Sequence, residues 1–68
     1  MNALVCIILI NYNTYADTVE CVKSLRGINY SNYRIILVDN ASKDAPKIKQ
    51  DAYLNANCDI ILAEHNKG

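Results

Sequence analysis

The sequence predicts a small α/β fold in which strands and helices alternate around a parallel sheet. Three short apolar runs, rich in β-branched residues, are separated by two segments with helical features, and the first two runs end in polar residues. Read as strands, the runs cover residues 4–10, 34–38 and 58–63 of the 68-residue chain. This alternation specifies parallel strands joined by right-handed crossovers, in the order β-α-β-α-β.

The first predicted strand, residues 4–10, is apolar at every position (LVCIILI). A strand that is apolar on both sides is typical of the centre of a parallel sheet, because helices cover both of its faces. The run is shorter than the roughly 18 apolar residues that a membrane span needs. No basic residues precede it as they would in a signal peptide. We expect a central strand, no transmembrane segment and a cytoplasmic location.

A helix is predicted over residues 15–26, directly after the polar end of the first strand. Thr14 and Asp17 stand at the spacing of a capping box, in which side chains satisfy the first backbone N–H groups of a helix. Apolar residues at spacings of three and four form one stripe that faces the core. These residues are Tyr15, Val19, Val22 and Leu25.

A second helix is predicted to start near Ser42 or Asp44, with Pro46 tolerated in its first turn. Asn55 and Asn57 are expected to end it before the third strand. No helix is predicted after that strand, so we expect residues 1–68 to be the amino-terminal part of a larger domain. Such a sheet has an unpaired edge, through which we expect a homo-oligomer to form.

Composition argues against several functional classes. Seven basic residues balance seven acidic ones, and this spread leaves no basic patch for nucleic acid. The three cysteines fit no zinc or redox spacing, and we interpret Cys6, Cys21 and Cys58 as buried small hydrophobic residues. No glycine-rich phosphate loop follows the first strand. His65 has no partner at metal-ligand spacing, so no metal site is expected.

The polar clusters after the first two strands are the candidate binding site. Ligands of open α/β sheets bind at the carboxyl ends of strands, where residues 11–14 and 39–42 should converge if the strands are neighbours. A pyrimidine ring needs a flat partner such as Tyr12 and a hydrogen-bond acceptor such as Asp39 or Asn40. The competing interpretation is that Asp and Asn at these positions are ordinary turn and cap residues.

Three segments in order resemble family 2 glycosyltransferases with the GT-A fold. Residues 5–13 (VCIILINYN) resemble the first strand and loop of that family, and residues 35–44 (IILVDNASKD) resemble its next strand and acidic loop. Residues 64–68 (EHNKG) resemble the entry to a later loop. The resemblance covers essentially the whole chain, and it implies a Rossmann-like sheet. It is strongest to the bacterial rhamnosyltransferase-like subgroup, which builds surface polysaccharides.

The resemblance implies a transferase that moves a sugar from a nucleotide-diphosphate sugar, UDP- or dTDP-linked, to an acceptor. It implies nucleotide-binding roles for Tyr12, Asn13, Asp39 and Asn40. Many relatives carry two acidic residues at the last two positions, whereas this chain has Asn40 at the second. This departure leaves open which of the two residues reads the base.

The metal-binding Asp-x-Asp motif and the catalytic base of the family lie further along the chain than Gly68. We therefore expect no catalytic or metal-binding residue in residues 1–68. A divalent cation, Mg²⁺ or Mn²⁺, is expected in the full-length enzyme only, and residues 1–68 alone should bind nucleotide weakly and be inactive. The parent enzyme is expected in the cytoplasm, peripheral to the inner face of the membrane.

Two other classes of protein remain as alternatives at this point. One is another nucleotide-binding α/β domain, such as a nucleotidyltransferase, which a glycine-rich loop with a basic residue would support. The other is a non-catalytic α/β module, such as a receiver-like domain. That module would carry clustered acids at the end of the first strand, where Asn11 and Asn13 stand instead.

Overall fold

The computed structural model describes residues 3–28 and 32–63, and it confirms an α/β fold with a parallel sheet. The segment 64–68, which carries the third part of the family resemblance, lies outside the described residues. In those described, no helix is both long and apolar enough to cross a membrane. The elements in chain order are β1 (Val5–Asn11), α1 (Tyr15–Arg26), β2 (Tyr33–Asn40), α2 (Ala45–Gln50), α3 (Ala52–Asn57) and β3 (Asp59–Ala63).

The three strands lie in the order β1-β2-β3, and both pairs are parallel. The expectation that the first strand is central is therefore wrong: β2 lies between the other two, and β1 is an edge strand among the described residues. The apolar sequence of β1 could not distinguish these positions, because strand order depends on the direction of each crossover. Here both crossovers move across the sheet in the same direction.

All three helices cover one face of the sheet. Right-handed crossovers that advance in one direction place their helices on the same side. The odd-numbered residues of β1 and β2 point to this side, and Ile35 and Leu37 are at most 2% exposed. The apolar stripe of α1 packs there as predicted. The buried core consists of Val22, Ile35, Leu37, Ile48 and Leu54.

The other side of the sheet, which we call the open face, has no helix against it in the described residues. Its apolar side chains come mainly from even-numbered residues of β1 and β2. Ile8, Ile10 and Ile61 are 62%, 60% and 53% exposed. The open face is therefore as apolar in sequence as the covered face but less buried, since its β2 residues are half-buried and those of β1 and β3 are exposed. Its members are Ile8, Ile10, Ile36, Val38 and Ile61.

Helix α1 has the predicted bounds but not the predicted cap. Thr14 makes no side-chain hydrogen bond to the start of the helix, and its hydroxyl instead donates to Asn11 Oδ1. The N–H of Tyr15 donates to Asp44, a residue of the loop after β2. The capping-box prediction was wrong because the Thr14 hydroxyl is engaged with Asn11, and the side-chain acceptor at the start of α1 is Asp44, which bonds a different N–H, that of Tyr15.

The helical segment after β2 is divided into two short helices at Asp51. This residue is extended (φ −75°, ψ 111°), and its carboxylate accepts the Leu54 N–H at 2.9 Å to start α3. Asn55 lies inside α3, so the prediction that it ends the helix is wrong, whereas Asn57 is the last residue of α3, as predicted. The Asn55 amide donates to the Lys49 carbonyl at 3.0 Å, near the end of α2, which gives it a favourable role within the helix.

The three cysteines are free, and two of them do not occupy the predicted environment. Cys6 and Cys21 are exposed, because Cys6 points to the open face and Cys21 lies on the outer side of α1. Cys58 is half-buried. Burial, reinforced by the neighbouring Asp59 carboxylate, raises the pKa of its thiol. Cys58 is therefore a packing residue and a poor nucleophile.

Candidate functional site

The candidate site is formed by two loops at the carboxyl edge of the sheet. The first loop, residues 12–14, follows β1, and the second loop, residues 41–44, follows β2. Asn11 and Asp39 are register partners at the ends of these strands, so the loops leave the sheet side by side, as expected. Asn13 and Ala41 have positive φ values of 58° and 53°. Left-handed residues reverse the chain direction sharply, which turns both loops back toward the helices.

Asn11 is the fully buried centre of the hydrogen bonds between the loops. Its amide nitrogen donates to Asp39 Oδ1 at 2.7 Å and to Asp44 Oδ1 at 2.9 Å. Its amide oxygen accepts from the hydroxyls of Thr18 at 2.7 Å and Thr14 at 3.2 Å. An amide suits this position because it donates on one side and accepts on the other, whereas an aspartate would add a third carboxylate.

Ser42 joins the two carboxylates to the same network. Asp39 Oδ2 accepts the Ser42 N–H at 3.1 Å, and the Ser42 hydroxyl contacts Asp39 Oδ1 and, at 2.6 Å, Asp44 Oδ1. The Ser42 oxygen also lies 3.2 Å from the Asn11 amide nitrogen. No buried side-chain nitrogen or oxygen lacks a partner among the residues described. We call these four residues, Asn11, Asp39, Ser42 and Asp44, the Asn11 cluster.

Asp44 connects the cluster to the start of α1. Its second carboxylate oxygen accepts the Tyr15 N–H at 2.8 Å. Desolvation opposes ionisation of Asp44, but the hydrogen bonds from Ser42, Asn11 and the Tyr15 backbone outweigh it and lower its pKa. The carboxylate is thus charged at neutral pH, and a negative charge at the amino terminus of a helix is stabilising.

A second contact joins the tips of the loops. The Asn13 side-chain oxygen accepts the Lys43 N–H at 2.7 Å. This bond is exposed, whereas the bonds of Asn11 to Asp39 and Ser42 are buried. The loops are therefore held at their bases by buried side chains and at their tips by one exposed contact.

The four predicted site residues lie at this edge, but they do not all point the same way. Tyr12 is 48% exposed and Asn13 is exposed, whereas Asp39 is 0% exposed. Side chains alternate along a strand, so Asn40 is on the opposite side of β2 from Asp39 and is half-buried. Nucleotide contacts for these residues stay a prediction. The structure brings the loops together but separates Asp39 from Asn40.

Sequence reasoning missed three residues that organise the site: Asn11, Thr18 and Asp44. A signal was present for two of them. Asn11 ends the odd-numbered row of β1 that faces the helices, and Thr18 lies between Tyr15 and Val22 on the buried side of α1. Polar residues on a buried face need partners, so they indicate a network. Asp44 had no local signal, because its hydrogen bond joins the loop after β2 to the start of α1.

The described residues do not fit a metal ion. Across residues 3–28 and 32–63, no group of three His, Cys, Asp or Glu side chains could hold one. Asp39 Oδ1 and Asp44 Oδ1 are both engaged by the Asn11 amide and the Ser42 hydroxyl. The expected divalent cation therefore stays a prediction about other residues of the parent protein.

The fold and its paired loops define an open α/β domain of the type that binds ligands at the carboxyl ends of its strands. The pattern of one such family, described as glycosyl transferase family 2, matches residues 6–68. The chain belongs to this family. This membership favours the glycosyltransferase interpretation over the nucleotidyltransferase and receiver-like alternatives.

A characterised relative supports the same assignment. The chain is 35% identical over 69 residues to the glycosyltransferase GlyG of Streptococcus pneumoniae serotype 4. The aligned region is the whole of this chain but only 23% of the relative. The chain thus spans about a quarter of the length of the curated relative that it matches. No solved structure shows a significant match to the chain.

Proposed function

We propose that residues 1–68 form the amino-terminal, nucleotide-binding part of a longer glycosyltransferase. That enzyme transfers a sugar from a nucleotide-diphosphate sugar to an acceptor. The observation that carries the proposal is the pair of loops held side by side at the carboxyl edge of the sheet by the Asn11 cluster, in a chain of family 2. The short coverage of the relative, 23%, supports a part of a larger protein.

Two side chains at this edge have the chemistry that suits a pyrimidine nucleotide. Tyr12 is 48% exposed and offers a flat ring face to a base. Asn40 lies at the end of the neighbouring strand, and its amide oxygen can accept the imino hydrogen of uracil or thymine. We therefore propose UDP- or dTDP-linked sugars as donors.

Asn40, rather than Asp39, is our candidate for reading the base, because Asn40 is half-buried at the end of β2 whereas Asp39 is 0% exposed. Both carboxylate oxygens of Asp39 accept hydrogen bonds inside the protein, from Asn11 and Ser42. A new bond to a nucleotide would have to compete with these buried contacts, which are costly to break. The contribution of Asp39 to binding is then to hold the second loop. Asn13 acts similarly on the first loop through its bond to Lys43.

The remaining parts of the reaction are assigned to regions of the parent protein outside the described residues. The divalent cation, Mg²⁺ or Mn²⁺, would screen the diphosphate there, and the catalytic base would activate the acceptor. Residues 1–68 alone are then inactive as a transferase. The resemblance of residues 5–13 and 35–44 supports a rhamnosyltransferase-like hexosyl transfer in surface polysaccharide synthesis, at the cytoplasmic side of the inner membrane.

Titration of UDP, dTDP and ADP into the 68-residue chain, followed by amide NMR shifts, tests the proposal. We expect weak binding of UDP or dTDP, with shifts concentrated in residues 12–14 and 40–44, and weaker binding of ADP. Tyr12→Ala should weaken binding about tenfold, because base–aromatic stacking contributes about 1 to 3 kcal/mol. Tyr53→Ala, which removes another exposed tyrosine in α3, is the matched control. Equal effects of the two variants would contradict the proposed site.

A further inference from the structure

One carboxylate of the second loop holds the first loop at both of its ends. Asp44 Oδ1 accepts from the Asn11 amide at 2.9 Å, and Asp44 Oδ2 accepts the Tyr15 N–H at 2.8 Å. Asn11 immediately precedes residues 12–14, and Tyr15 immediately follows them. The loop that carries Tyr12 is therefore closed across its base by a single side chain from the other strand's loop.

Hydrogen bonds within the first segment also tie these flanks, because Asn11 Oδ1 accepts from the hydroxyls of Thr14 at 3.2 Å and Thr18 at 2.7 Å. Asp44 differs from them because it ties both flanks to the second loop. Asp39 accepts from Asn11 at 2.7 Å, but its other bonds go to Ser42 within its own segment. Thr14 stands at the amino-terminal cap position of α1 without making a side-chain cap bond. The Asn13–Lys43 contact is exposed. Asp44 thus joins the two flanks of the loop, and hydrogen bonds to an ionised acceptor are stronger than neutral ones.

We propose that Asp44 is a positioning residue for nucleotide binding, which holds Tyr12 in place relative to Asn40 without touching the nucleotide. The inference rests on the proposed function, because it assigns the geometry of that same site to Asp44. It predicts that nucleotide affinity depends on both oxygens of this carboxylate. A residue that stabilises the fold equally but lies away from the loops should not affect affinity.

Asp44→Asn is the informative substitution. Asparagine has nearly the same size but a single acceptor oxygen, so it cannot accept from the Asn11 amide and the Tyr15 N–H together. One flank of the first loop then loses its hydrogen bond to residue 44. Asp51→Asn is the matched control, because Asp51 also accepts a backbone N–H at a helix start, from Leu54, and its other oxygen accepts the Tyr15 hydroxyl.

Two measurements on the 68-residue chain test the inference. UDP titration should give about a tenfold weaker Kd for Asp44→Asn, as expected for loss of one charged hydrogen bond, and a change within about twofold for Asp51→Asn. Hydrogen exchange of the Tyr15 and Lys43 amides, each divided by that of the core amide of Leu37, should accelerate in Asp44→Asn only. This normalisation removes the effect of global stability.

The outcomes separate this inference from the proposed function. Equal effects of the two substitutions on both measurements would overturn the positioning role. Wild-type protein that binds neither UDP nor dTDP would refute the proposed function. Normalised exchange then decides the role of Asp44: selective acceleration at Tyr15 and Lys43 in Asp44→Asn supports it, and unchanged exchange overturns it.

Discussion

The two faces of the sheet differ in exposure although their sequences are alike. On the covered face, Ile35 and Leu37 are at most 2% exposed, whereas on the open face Ile8 and Ile10 are 62% and 60% exposed. All four are branched apolar residues in adjacent parallel strands. On β2 itself, Ile36 and Val38 of the open face are half-buried. Hydrophobicity therefore gives the capacity for burial, while the direction of the crossovers and the central or edge position of each strand decide which residues are buried.

The covered face also becomes polar where the strands end. Asn11 and Asp39 continue the same odd-numbered rows and are 0% exposed. Helix α1 shields them, and Thr18 from that helix completes the hydrogen bonding. A shielded environment strengthens each hydrogen bond and raises the cost of losing one. The covered face therefore supplies both the core and the rigid base of the candidate site.

The largest difference between the faces should appear in stability. Ile35→Ala should lower the free energy of unfolding by about 2 to 5 kcal/mol, because it leaves a cavity in the core. Ile8→Ala on the open face should change it by about 0.5 kcal/mol or less, as is usual for exposed positions. Urea unfolding measures both, and Ile35→Val provides a milder test. Similar losses would mean that the open face is covered in solution.

Substitutions at the polar end of the covered face should also lower the free energy of unfolding. Asn11→Ala removes two hydrogen bonds to carboxylates, of which Asp39 is buried and Asp44 half-buried, and should cost about 2 to 3 kcal/mol. Asn13→Gly is the control, because it removes one exposed hydrogen bond while keeping the left-handed backbone accessible, and it should cost about 1 kcal/mol or less. An equal cost for both, measured by urea unfolding, would contradict a structural centre at Asn11.

Acid should lower the free energy of unfolding, because two carboxylates that cap helix starts would become protonated. The pKa of Asp44 is lowered by the hydrogen bonds that outweigh desolvation, and the pKa of Asp51 is lowered chiefly by the Tyr15 hydroxyl. A carboxyl group whose pKa is lowered in the folded state stabilises the protein fully at a pH above its ordinary pKa of 3.8. This stabilisation is lost as the pH falls through the lowered pKa. Unfolding free energy should therefore fall below about pH 4. Asp44→Asn with Asp51→Asn should flatten that fall.

Substitutions on the open face should have the smallest effect on stability and the largest effect on self-association. We predict self-association of the chain at high concentration, because exposed apolar surface and unpaired strand edges favour it. Ile8→Thr with Ile10→Thr should reduce association while changing unfolding free energy by about 1 kcal/mol or less. Light scattering measures the mass of each protein. A monomeric wild-type chain at all concentrations would contradict this prediction.

Local patterns were sufficient for much of the fold. The spacing of apolar residues predicted α1 with its observed bounds, and the apolar runs predicted all three strands to within two residues at each end. The polar clusters after β1 and β2 indicated the correct edge for the candidate site. These features follow from the periods of helices and strands and from the position of ligands in parallel sheets.

The errors concern side-chain hydrogen bonds, some between neighbouring segments and some between residues distant in the chain. Asn55 was expected to end a helix, but within α3 it donates to the Lys49 carbonyl near the end of α2. Thr14 was expected to cap α1, but its hydroxyl donates to Asn11, and the Tyr15 N–H at the helix start bonds Asp44, 29 positions away. Local propensity could not predict these outcomes, because tertiary packing decided which acceptor lay within reach.

By itself, the sequence determined the alternation of strands and helices, the apolar stripe of α1 and the polar character of both loops, since each depends on residues close together in the chain. Tertiary structure decided that β2 is central, that one face is open and that Asp44 closes the loop of Tyr12. The physical reason is that strand order and buried hydrogen bonds depend on crossover direction and long-range packing, which no local period encodes.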